Sequence, residues 1–247
     1  MRQAAATIIA AIRTILWAVA FFAGSAVVVI AAALVGYVSR PALLVTVQAW
    51  ALWHRWCVRF VLGQSIVVEG ALPSGANFLV FKHEAMFETV DVLLLFDCPV
   101  VFAKRELFDI PLWGRMALRY GLIPIERDAG ATALRTMRRA AQAAIECGRP
   151  IALFPEGTRV RHGLAPSIHS GFAGVYKLLR MPAVPIAVDS GRLTSHGWIR
   201  WPGTITYRVG EVIPPGLPRN VAEQWAYAAI NTLNSCSIEQ PACDIAL

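Results

Sequence analysis

The pattern of hydrophobic positions divides the chain at about residue 63. Residues 14–39 contain no charged side chain, and the run 15–36 alone is long enough to cross a ~30 Å hydrocarbon core as a helix. A cleaved signal peptide has a shorter apolar core, so it is the less favoured reading. The pattern predicts a membrane-associated helix at the N-terminus.

A second apolar stretch, residues 43–62, also contains aromatic and basic side chains. These are Trp50, Trp53, Trp56, Phe60, His54, Arg55 and Arg59. The mixture predicts a helix in the membrane interface, with tryptophans at headgroup level and arginines facing lipid phosphates. A helix packed on the soluble core is an equal alternative. Because arginines flank both ends of the first helix, charge bias does not decide between a spanning helix and a helix pair in one leaflet.

Beyond residue 63, short β-rich runs alternate with helical patterns. Strands are predicted at residues 65–69, 78–82, 100–103, 122–125, 151–154, 183–188 and 204–209. Helices are predicted at residues 85–96, 112–120, 131–147, 172–179 and 221–236. The alternation indicates an α/β fold with a mostly parallel central sheet flanked by helices. The predicted division is an N-terminal helix or helix pair at 1–63, an α/β domain at 64–236 and a loose tail at 237–247.

Composition and charge narrow the class of ligand. The chain is 56% hydrophobic and 16% charged, with a mean hydropathy of +0.52, which favours membrane contact over a fully soluble protein. Its net charge of +7 comes mainly from arginine, and arginine suits phosphate capture. The hydrophobic content and the lack of a nucleic-acid-binding motif favour anionic lipid over nucleic acid. The five cysteines form no C-x-x-C pair, so we expect a reducing, cytoplasmic setting.

A histidine and a carboxylate follow the second predicted strand. His83 comes directly after residues 78–82, and Glu88 lies five positions later. This spacing places His83 in the turn and Glu88 in the first turn of the following helix, where the carboxylate could bond one imidazole nitrogen and leave the other free to accept a proton. Asp91 is a rival partner. The half-match to the zinc motif H-E-x-x-H fails because Phe87 occupies the position of the second histidine.

Basic residues follow three other predicted strands. Strand 151–154 runs into Pro-Glu-Gly-Thr-Arg at 155–159, where a glycine permits close backbone approach and an arginine can bind phosphate. Strand 122–125 is followed by Glu126 and Arg127, and strand 100–103 by Lys104 and Arg105. Since ligand sites of parallel sheets lie at the carboxyl ends of strands, we expect these residues to converge on one edge.

Together these segments resemble the glycerolipid acyltransferase family, and within it the bacterial 1-acylglycerol-3-phosphate acyltransferases. The likeness covers about residues 65–218 and rests on four ordered blocks: Lys-His-Glu-Ala-Met-Phe-Glu at 82–88, Gly-Leu-Ile-Pro-Ile-Glu-Arg at 121–127, Phe-Pro-Glu-Gly-Thr-Arg at 154–159 and Val-Pro-Ile at 184–186. The commonest family form of the first block is His-x4-Asp, so Glu88 is a departure that keeps the carboxylate and adds one methylene.

The resemblance implies transfer of an acyl chain from acyl-CoA or acyl carrier protein to the free sn-2 hydroxyl of lysophosphatidate, forming phosphatidate. It implies His83 as general base and Glu88 as its partner. The implied phosphate-binding residues are Glu156, Gly157, Thr158, Arg159, Arg127 and Lys104. Because a carboxylate repels phosphate, we expect Glu156 to bond a hydroxyl or hold an arginine. No bound cofactor or metal is implied, and the expected location is the inner membrane, with the active site facing the cytoplasm.

Two other readings of the sequence stay open. The acceptor could be another lysolipid, such as a lyso-ornithine lipid. The chain could also be a non-catalytic lipid-binding or scaffold protein with the same fold. A hydrolase is less favoured because the sequence shows no Ser-His-acid or metal constellation, and Ser170 beside His169 is interpreted as part of a loop. No covalent enzyme intermediate is expected, since the chain lacks a G-x-S-x-G elbow.

Overall fold

A computed structural model of the protein describes residues 2–125, 131–169, 171–194 and 197–234. Seven strands form one sheet in the order β1-β7-β6-β2-β5-β3-β4, and every neighbouring pair is parallel except β6 and β7. The strands are β1 (Gln64–Glu69), β2 (Phe78–Phe81), β3 (Val100–Lys104), β4 (Ile123–Ile125), β5 (Ile151–Leu153), β6 (Ala183–Val188) and β7 (Gly203–Val209). All seven predicted strands are present, each with its ends within one residue of the prediction.

Seven α-helices surround this sheet in the described part of the chain. They are α1 (Arg2–Val38), α2 (Arg40–Trp56), α3 (Phe87–Leu95), α4 (Trp113–Tyr120), α5 (Ala131–Glu146), α6 (Gly171–Leu179) and α7 (Arg219–Ile230). The helix predicted at 85–96 begins two residues late, because the backbone amides of Glu84 and Ala85 are bound by the Glu88 side chain. The helix predicted at 221–236 begins at Arg219 and ends at Ile230. The predicted tail, 237–247, lies outside the described residues.

The two faces of the sheet carry separate hydrophobic cores. Along the fully buried strand β2, Phe78 and Val80 pack with α5, α6 and α7, whereas Leu79 and Phe81 pack on the face covered by α1, α2 and α3. This period of two is the geometry of a strand with both faces covered. The N-terminal helices therefore contribute to the core of the α/β domain.

Helices α1 and α2 form a tightly packed hairpin. Trp50 donates its indole N–H to Ser25 Oγ at 2.9 Å, and Trp53 donates to the carbonyl of Ala20 at 3.3 Å. A Cβ at Gly24 would lie 2.2 Å from Trp53 Nε1, so the close approach requires glycine. The indoles of Trp50 and Trp53 are thus bound to α1, and the position of the tryptophans at headgroup level stays a prediction.

Helix α2 packs on the α/β domain along one face and is exposed along the other. On the packed face, Arg55 Nε donates to Asp91 Oδ1 of α3 at 2.8 Å, so the expectation that Arg55 faces lipid phosphates is wrong. The exposed face carries Val45, Leu52 and Trp56. The alternative of packing on the soluble core is therefore correct for one face, and contact of the exposed apolar face with the membrane interface stays a prediction.

Helix α1 is long and apolar enough to cross a membrane over Gln3–Val38, and most of its apolar surface is exposed. It is nevertheless joined to the α/β domain, because Thr14 Oγ1 accepts a hydrogen bond from the backbone N–H of Arg200 at 2.9 Å. The Arg200 guanidinium lies 4.2 Å from the centre of the Trp17 ring, a cation–π contact. These contacts hold α1 against the segment that precedes β7.

Candidate active site

His83 lies in the turn between β2 and α3, and Glu88 lies in the first turn of α3. His83 Nδ1 is 2.9 Å from Glu88 Oε1, which is the contact that the five-residue spacing predicts. The carboxylate is fully buried, whereas the imidazole keeps 14% of its side-chain surface exposed. With Nδ1 occupied by Glu88, Nε2 is the nitrogen available to a substrate.

The Glu88 carboxylate accepts four hydrogen bonds. Oε1 accepts from His83 Nδ1, from the backbone N–H of Glu84 at 2.6 Å and from that of Ala85 at 2.7 Å, while Oε2 accepts from Ser190 Oγ at 2.7 Å. A carboxylate at a helix N-terminus satisfies amides that have no intrahelical partner. The additional methylene of glutamate lets the carboxylate reach back across the turn that carries His83.

Glu156 holds this turn from the adjacent strand β5. Its Oε1 accepts from Lys82 Nζ at 2.6 Å, and its Oε2 accepts from the backbone N–H of His83 at 2.8 Å. Lys82 is fully buried and also donates to Asn231 Oδ1 of the turn after α7 at 2.8 Å. The expected partners of Glu156 are wrong, because among the described residues its carboxylate oxygens accept from a lysine and a backbone amide and not from a hydroxyl or an arginine. In the structure Glu156 positions the backbone of His83.

The rest of the Pro-Glu-Gly-Thr-Arg segment faces the site. Gly157, Thr158 and Arg159 border the same cavity as His83, and Gly157 has φ +63°, a left-handed conformation that favours glycine. The backbone N–H of Val160 donates to the His83 carbonyl at 2.8 Å, which fixes this loop relative to the histidine. Arg159 is exposed and forms no ion pair with the described part of the chain.

Two of the three remaining basic residues can be placed. Lys104, at the end of β3, and Arg105, which follows it, both border the cavity. Lys104 is exposed, and Arg105 pairs with Asp109 at 2.9 Å. Arg127 lies outside the described residues. Within those residues, the edge where β2, β3 and β5 end therefore brings His83, Lys104 and Arg159 together around one cavity, as the sequence predicts.

The cavity has a volume of about 1230 Å³ and extends from His83 into an apolar interior. Helix α1 contributes Phe21, Phe22, Val28, Val29 and Ala32 to its wall, and α4 contributes a further group: Trp113, Met116, Ala117 and Tyr120. The sequence predicts α1 as a membrane helix but does not indicate that α1 lines the site. Its role depends on contacts between residues distant in sequence, which periodicity does not report.

Asp91, the rival partner of His83, belongs to a different cluster. It is fully buried one turn beyond Glu88 and pairs with Arg55. Burial raises the pKa of Asp91, and the nearby Arg55 charge opposes this shift. Burial likewise raises the pKa of Tyr207, and the Asp91 charge adds to the effect. This cluster joins α2, α3 and β7 beneath the active site.

A second histidine–carboxylate pair, not predicted from the sequence, lies beside the first. His162 Nδ1 is 3.0 Å from Glu84 Oε1, and Glu84 Oε2 accepts from the backbone N–H of Gly191 at 2.9 Å. Burial raises the pKa of Glu84, and its hydrogen bond to His162 opposes the shift. This pair ties the loop after β5 and the loop after β6 to the turn that carries His83. No group of three or more His, Cys, Asp or Glu side chains arranged to hold a metal occurs within the described ranges.

Comparison with known proteins gives matches to one family. The acyltransferase family model matches residues 66–189, half of the chain. The chain is 29% identical to 1-acyl-sn-glycerol-3-phosphate acyltransferase of Pseudomonas aeruginosa over 167 residues, which cover 66% of this chain and 65% of that protein. It is 32% identical to the protein of the same name from Borreliella burgdorferi over 122 residues, covering 44% and 46%. The matched segments span less than two thirds of these relatives.

The fold also has a close structural counterpart. The crystal structure of the 1-acyl-sn-glycerophosphate acyltransferase PlsC from Thermotoga maritima matches with a TM-score of 0.68, over 94% of this chain and 95% of that chain. Sequence identity in this comparison is 18%, so the likeness bears on the fold alone. It confirms the α/β architecture with its N-terminal apolar helix.

Proposed function

This chain belongs to the acyltransferase family, and on that premise we propose that it transfers an acyl chain from a thioester to the free sn-2 hydroxyl of lysophosphatidate, forming phosphatidate. One observation carries the proposal: His83, paired with Glu88, borders the same cavity as Lys104 and Arg159. That arrangement joins a base, a site for an anionic headgroup and an apolar space. The names of the matched relatives point to the same acceptor.

In the proposed reaction, His83 Nε2 removes the proton of the acceptor hydroxyl as its oxygen attacks the thioester carbonyl. Glu88, bound to Nδ1, stabilises the imidazolium that forms. The tetrahedral intermediate then expels the thiolate, which takes the proton from His83, so the products are an ester and a free thiol. Base assistance of this kind typically contributes ~10²–10⁴ in rate. Positioning of the two substrates supplies a further part of the rate enhancement.

The acceptor phosphate is proposed to bind at the Arg159 side of the cavity. Arg159 and Lys104 are exposed cations on its wall, and neither has an acidic partner in the ranges that the structure describes. Guanidinium groups bind phosphate through paired hydrogen bonds, and Thr158 adds a hydroxyl donor beside Arg159. Glu156 acts indirectly in this scheme, because it holds the His83 backbone in place. Arg127 remains a proposed contributor on family resemblance.

The apolar part of the cavity is proposed to take acyl chains. Sites for small molecules commonly measure roughly 300–1,000 Å³, and the volume of about 1230 Å³ exceeds that range. Because the wall is built from α1, α3 and α4, a lipid reaches His83 between the membrane-facing helices and the sheet. Both acyl-CoA and acyl carrier protein fit the scheme as donors, since each presents the same thioester.

The exposed surface of α1 and α2 is proposed to lie in one leaflet of the inner membrane, with the cavity on the cytoplasmic side. Helix α1 packs on α2 and on the segment before β7. These contacts hold α1 against the α/β domain, which favours a helix pair in one leaflet over a separate spanning helix. Cys147 is exposed on the α/β domain. A membrane-impermeant maleimide should label it only in permeabilised cells, and labelling in intact cells would contradict this orientation.

The test is acyl transfer by the purified full chain with one acyl-CoA and a panel of acceptors. The panel compares lysophosphatidate with monoacylglycerol, which lacks the phosphate, and with an ornithine lysolipid. We expect a clear preference for lysophosphatidate. In Arg159→Ala the KM for lysophosphatidate should rise about tenfold or more, since a hydrogen bond to a charged group contributes ~1.5–3 kcal/mol, while the KM for the donor stays unchanged. Arg161→Ala, an exposed arginine two residues away that does not border the cavity, is the matched control.

Three results would contradict the proposal. Equal turnover of monoacylglycerol and lysophosphatidate would show that the phosphate is not recognised. Preference for the ornithine lysolipid would show that the chain transfers acyl groups to an acceptor other than lysophosphatidate. Absence of transfer to every acceptor from acyl-CoA and from acyl carrier protein would favour a non-catalytic lipid-binding role.

A further inference from the structure

Ser190 connects the loop after β6 to the histidine–glutamate pair. It is the second residue after β6, begins a 3-10 turn at Ser190–Thr194 and is 2% exposed. Its hydroxyl donates to Glu88 Oε2 at 2.7 Å. Because it is buried and does not border the cavity, Ser190 cannot contact substrate and can act only through Glu88.

The two oxygens of Glu88 are bound unequally. Oε1 has three donors, all from residues 83–85, whereas Ser190 is the single donor to Oε2 within the described residues. A fully buried carboxylate oxygen without a donor carries a desolvation cost that is not offset. Loss of the Ser190 hydroxyl would therefore leave Oε2 unsatisfied while all contacts to Oε1 remain.

The loop that carries Ser190 is fixed by the sheet and by the second histidine–carboxylate pair. Strand β6 pairs with β2, with Phe81 opposite Ile186. Asp189 Oδ1 accepts from the backbone N–H of Thr206 at 2.6 Å. The next residue, Gly191, donates its N–H to Glu84 at 2.9 Å. Two consecutive residues, Ser190 and Gly191, thus hold the two carboxylates on either side of the turn.

We propose that Ser190 is a positioning residue of the acyl transfer reaction, which sets the orientation of the His83–Glu88 pair through its hydrogen bond to Glu88. The inference rests on the proposed function for its kinetic readout. Donors on both oxygens fix the plane of the carboxylate and hence the direction in which His83 points. A hydrogen bond to the charged form of a carboxylate favours that form, so we expect loss of the Ser190 hydroxyl to alter the pH dependence of the reaction.

Other titratable groups near Glu88 contribute to any pH effect. They are His83 and Glu84 in the turn, Asp91 on α3 and Tyr207 on β7. Behind them, Arg55 on α2 pairs with Asp91, and His162 in the loop after β5 pairs with Glu84. All of them are unchanged when Ser190 is substituted. A difference in pH profile between wild type and a Ser190 variant therefore results from the change at the Ser190 hydroxyl.

The test compares Ser190→Ala with Ser190→Thr, which keeps a hydroxyl, and with Thr194→Ala. Thr194 donates its hydroxyl to the Gly191 carbonyl in the same turn and has no contact with Glu88, so it is the matched control. In Ser190→Ala we expect kcat to fall about tenfold, equivalent to ~1.4 kcal/mol within the usual cost of an unsatisfied buried group. The KM for the acceptor should change less than twofold, and the acid limb of the kcat/KM profile should move to higher pH. Ser190→Thr should recover part of both effects.

A wild-type pH profile in Ser190→Ala would overturn the proposal, even if stability or kcat fell, because a purely structural role would not move the acid limb. If Ser190→Ala does not fold, Ser190→Cys replaces the hydroxyl with a weak donor of similar size and should shift the limb in the same direction. An NMR titration of the His83 imidazole, with its signal assigned by comparison with His83→Gln, measures the effect of the Ser190 substitution and does not require enzymatic activity. An inactive wild type would therefore count against the proposed function, whereas an unchanged titration in the variant would count against Ser190.

Discussion

At the residue scale, two histidine–carboxylate pairs lie side by side with different surroundings. His83, paired with Glu88, borders the cavity, and the described residues that line the cavity do not include His162, the partner of Glu84. A base must reach the proton that it removes. The difference in access therefore assigns the proposed chemistry to His83 and a structural role to His162.

The sequence predicts some of these residues better than others. His83 and Glu88 are five positions apart, so the short turn between β2 and α3 brings them together, and the observed distance is 2.9 Å. Ser190 and Glu88 are 102 positions apart, and their contact depends on the pairing of β6 with β2. The same limit applies to Glu156, which follows β5, whereas its partners Lys82 and His83 follow β2. Local spacing carries no information on contacts of that kind.

Glu156→Gln tests whether this residue acts through His83 or by binding phosphate. The substitution leaves the buried Lys82 ammonium without its charged partner, so the free energy of unfolding should fall by about 3 kcal/mol. Turnover should fall with it, because the His83 backbone N–H loses a carboxylate acceptor. Chemical denaturation and steady-state kinetics are the measurements. A rise in acceptor KM at unchanged stability would instead favour a direct role in phosphate binding.

At the element scale, strands are predicted more accurately than the environment of the N-terminal helices. Continuous apolar runs such as β2 and β6 are buried on both faces, so the apolar composition of these strands matches their position inside the protein. Helices α1 and α2 carry apolar side chains on surfaces that pack and on surfaces that are exposed. Composition does not separate the two kinds of surface, so the sequence predicts lipid contact for Arg55, which in the structure pairs with Asp91.

The packing of α2 on α3 makes the stability of the protein depend on pH. His54 of α2 is 1% exposed, between the rings of Phe21 and Phe87. Burial, with the nearby Arg200 and Arg55 charges, lowers the pKa of His54 to about 3. The folded protein therefore holds this imidazole neutral at a pH where the unfolded chain protonates it. Its contribution to stability is present above pH 6.5 and is lost as the pH falls toward 3.

Thermal unfolding at pH 7.5 and at pH 5.0 checks this expectation. Wild type should unfold at a lower temperature at pH 5.0, and His54→Gln should show a smaller difference between the two pH values, because glutamine does not titrate. Comparison of the two proteins removes the contributions of Asp91 and Glu84, which are common to both. An equal pH dependence in the variant would show that His54 is not the group responsible.

At the scale of the whole molecule, the N-terminal helices and the sheet together form one site. The sheet edge supplies His83, Lys104 and Arg159, and α1 supplies a large part of the apolar wall. The α/β fold could be predicted from the alternation of strands and helices, and the structural match to the Thermotoga maritima enzyme confirms it. The cavity could not be predicted, because its shape follows from how α1 rests on α4 and on the segment before β7.

The most direct measurement of the central claim is thioester-dependent acyl transfer by His83→Ala beside His169→Ala, with lysophosphatidate binding measured on the same preparations. His169 is exposed and serves as a histidine control outside the cavity. We predict that His83→Ala loses at least about 10²–10⁴ in turnover while its affinity for lysophosphatidate stays within a few-fold of wild type, and that His169→Ala retains full activity. Turnover in His83→Ala equal to that of His169→Ala would contradict the account.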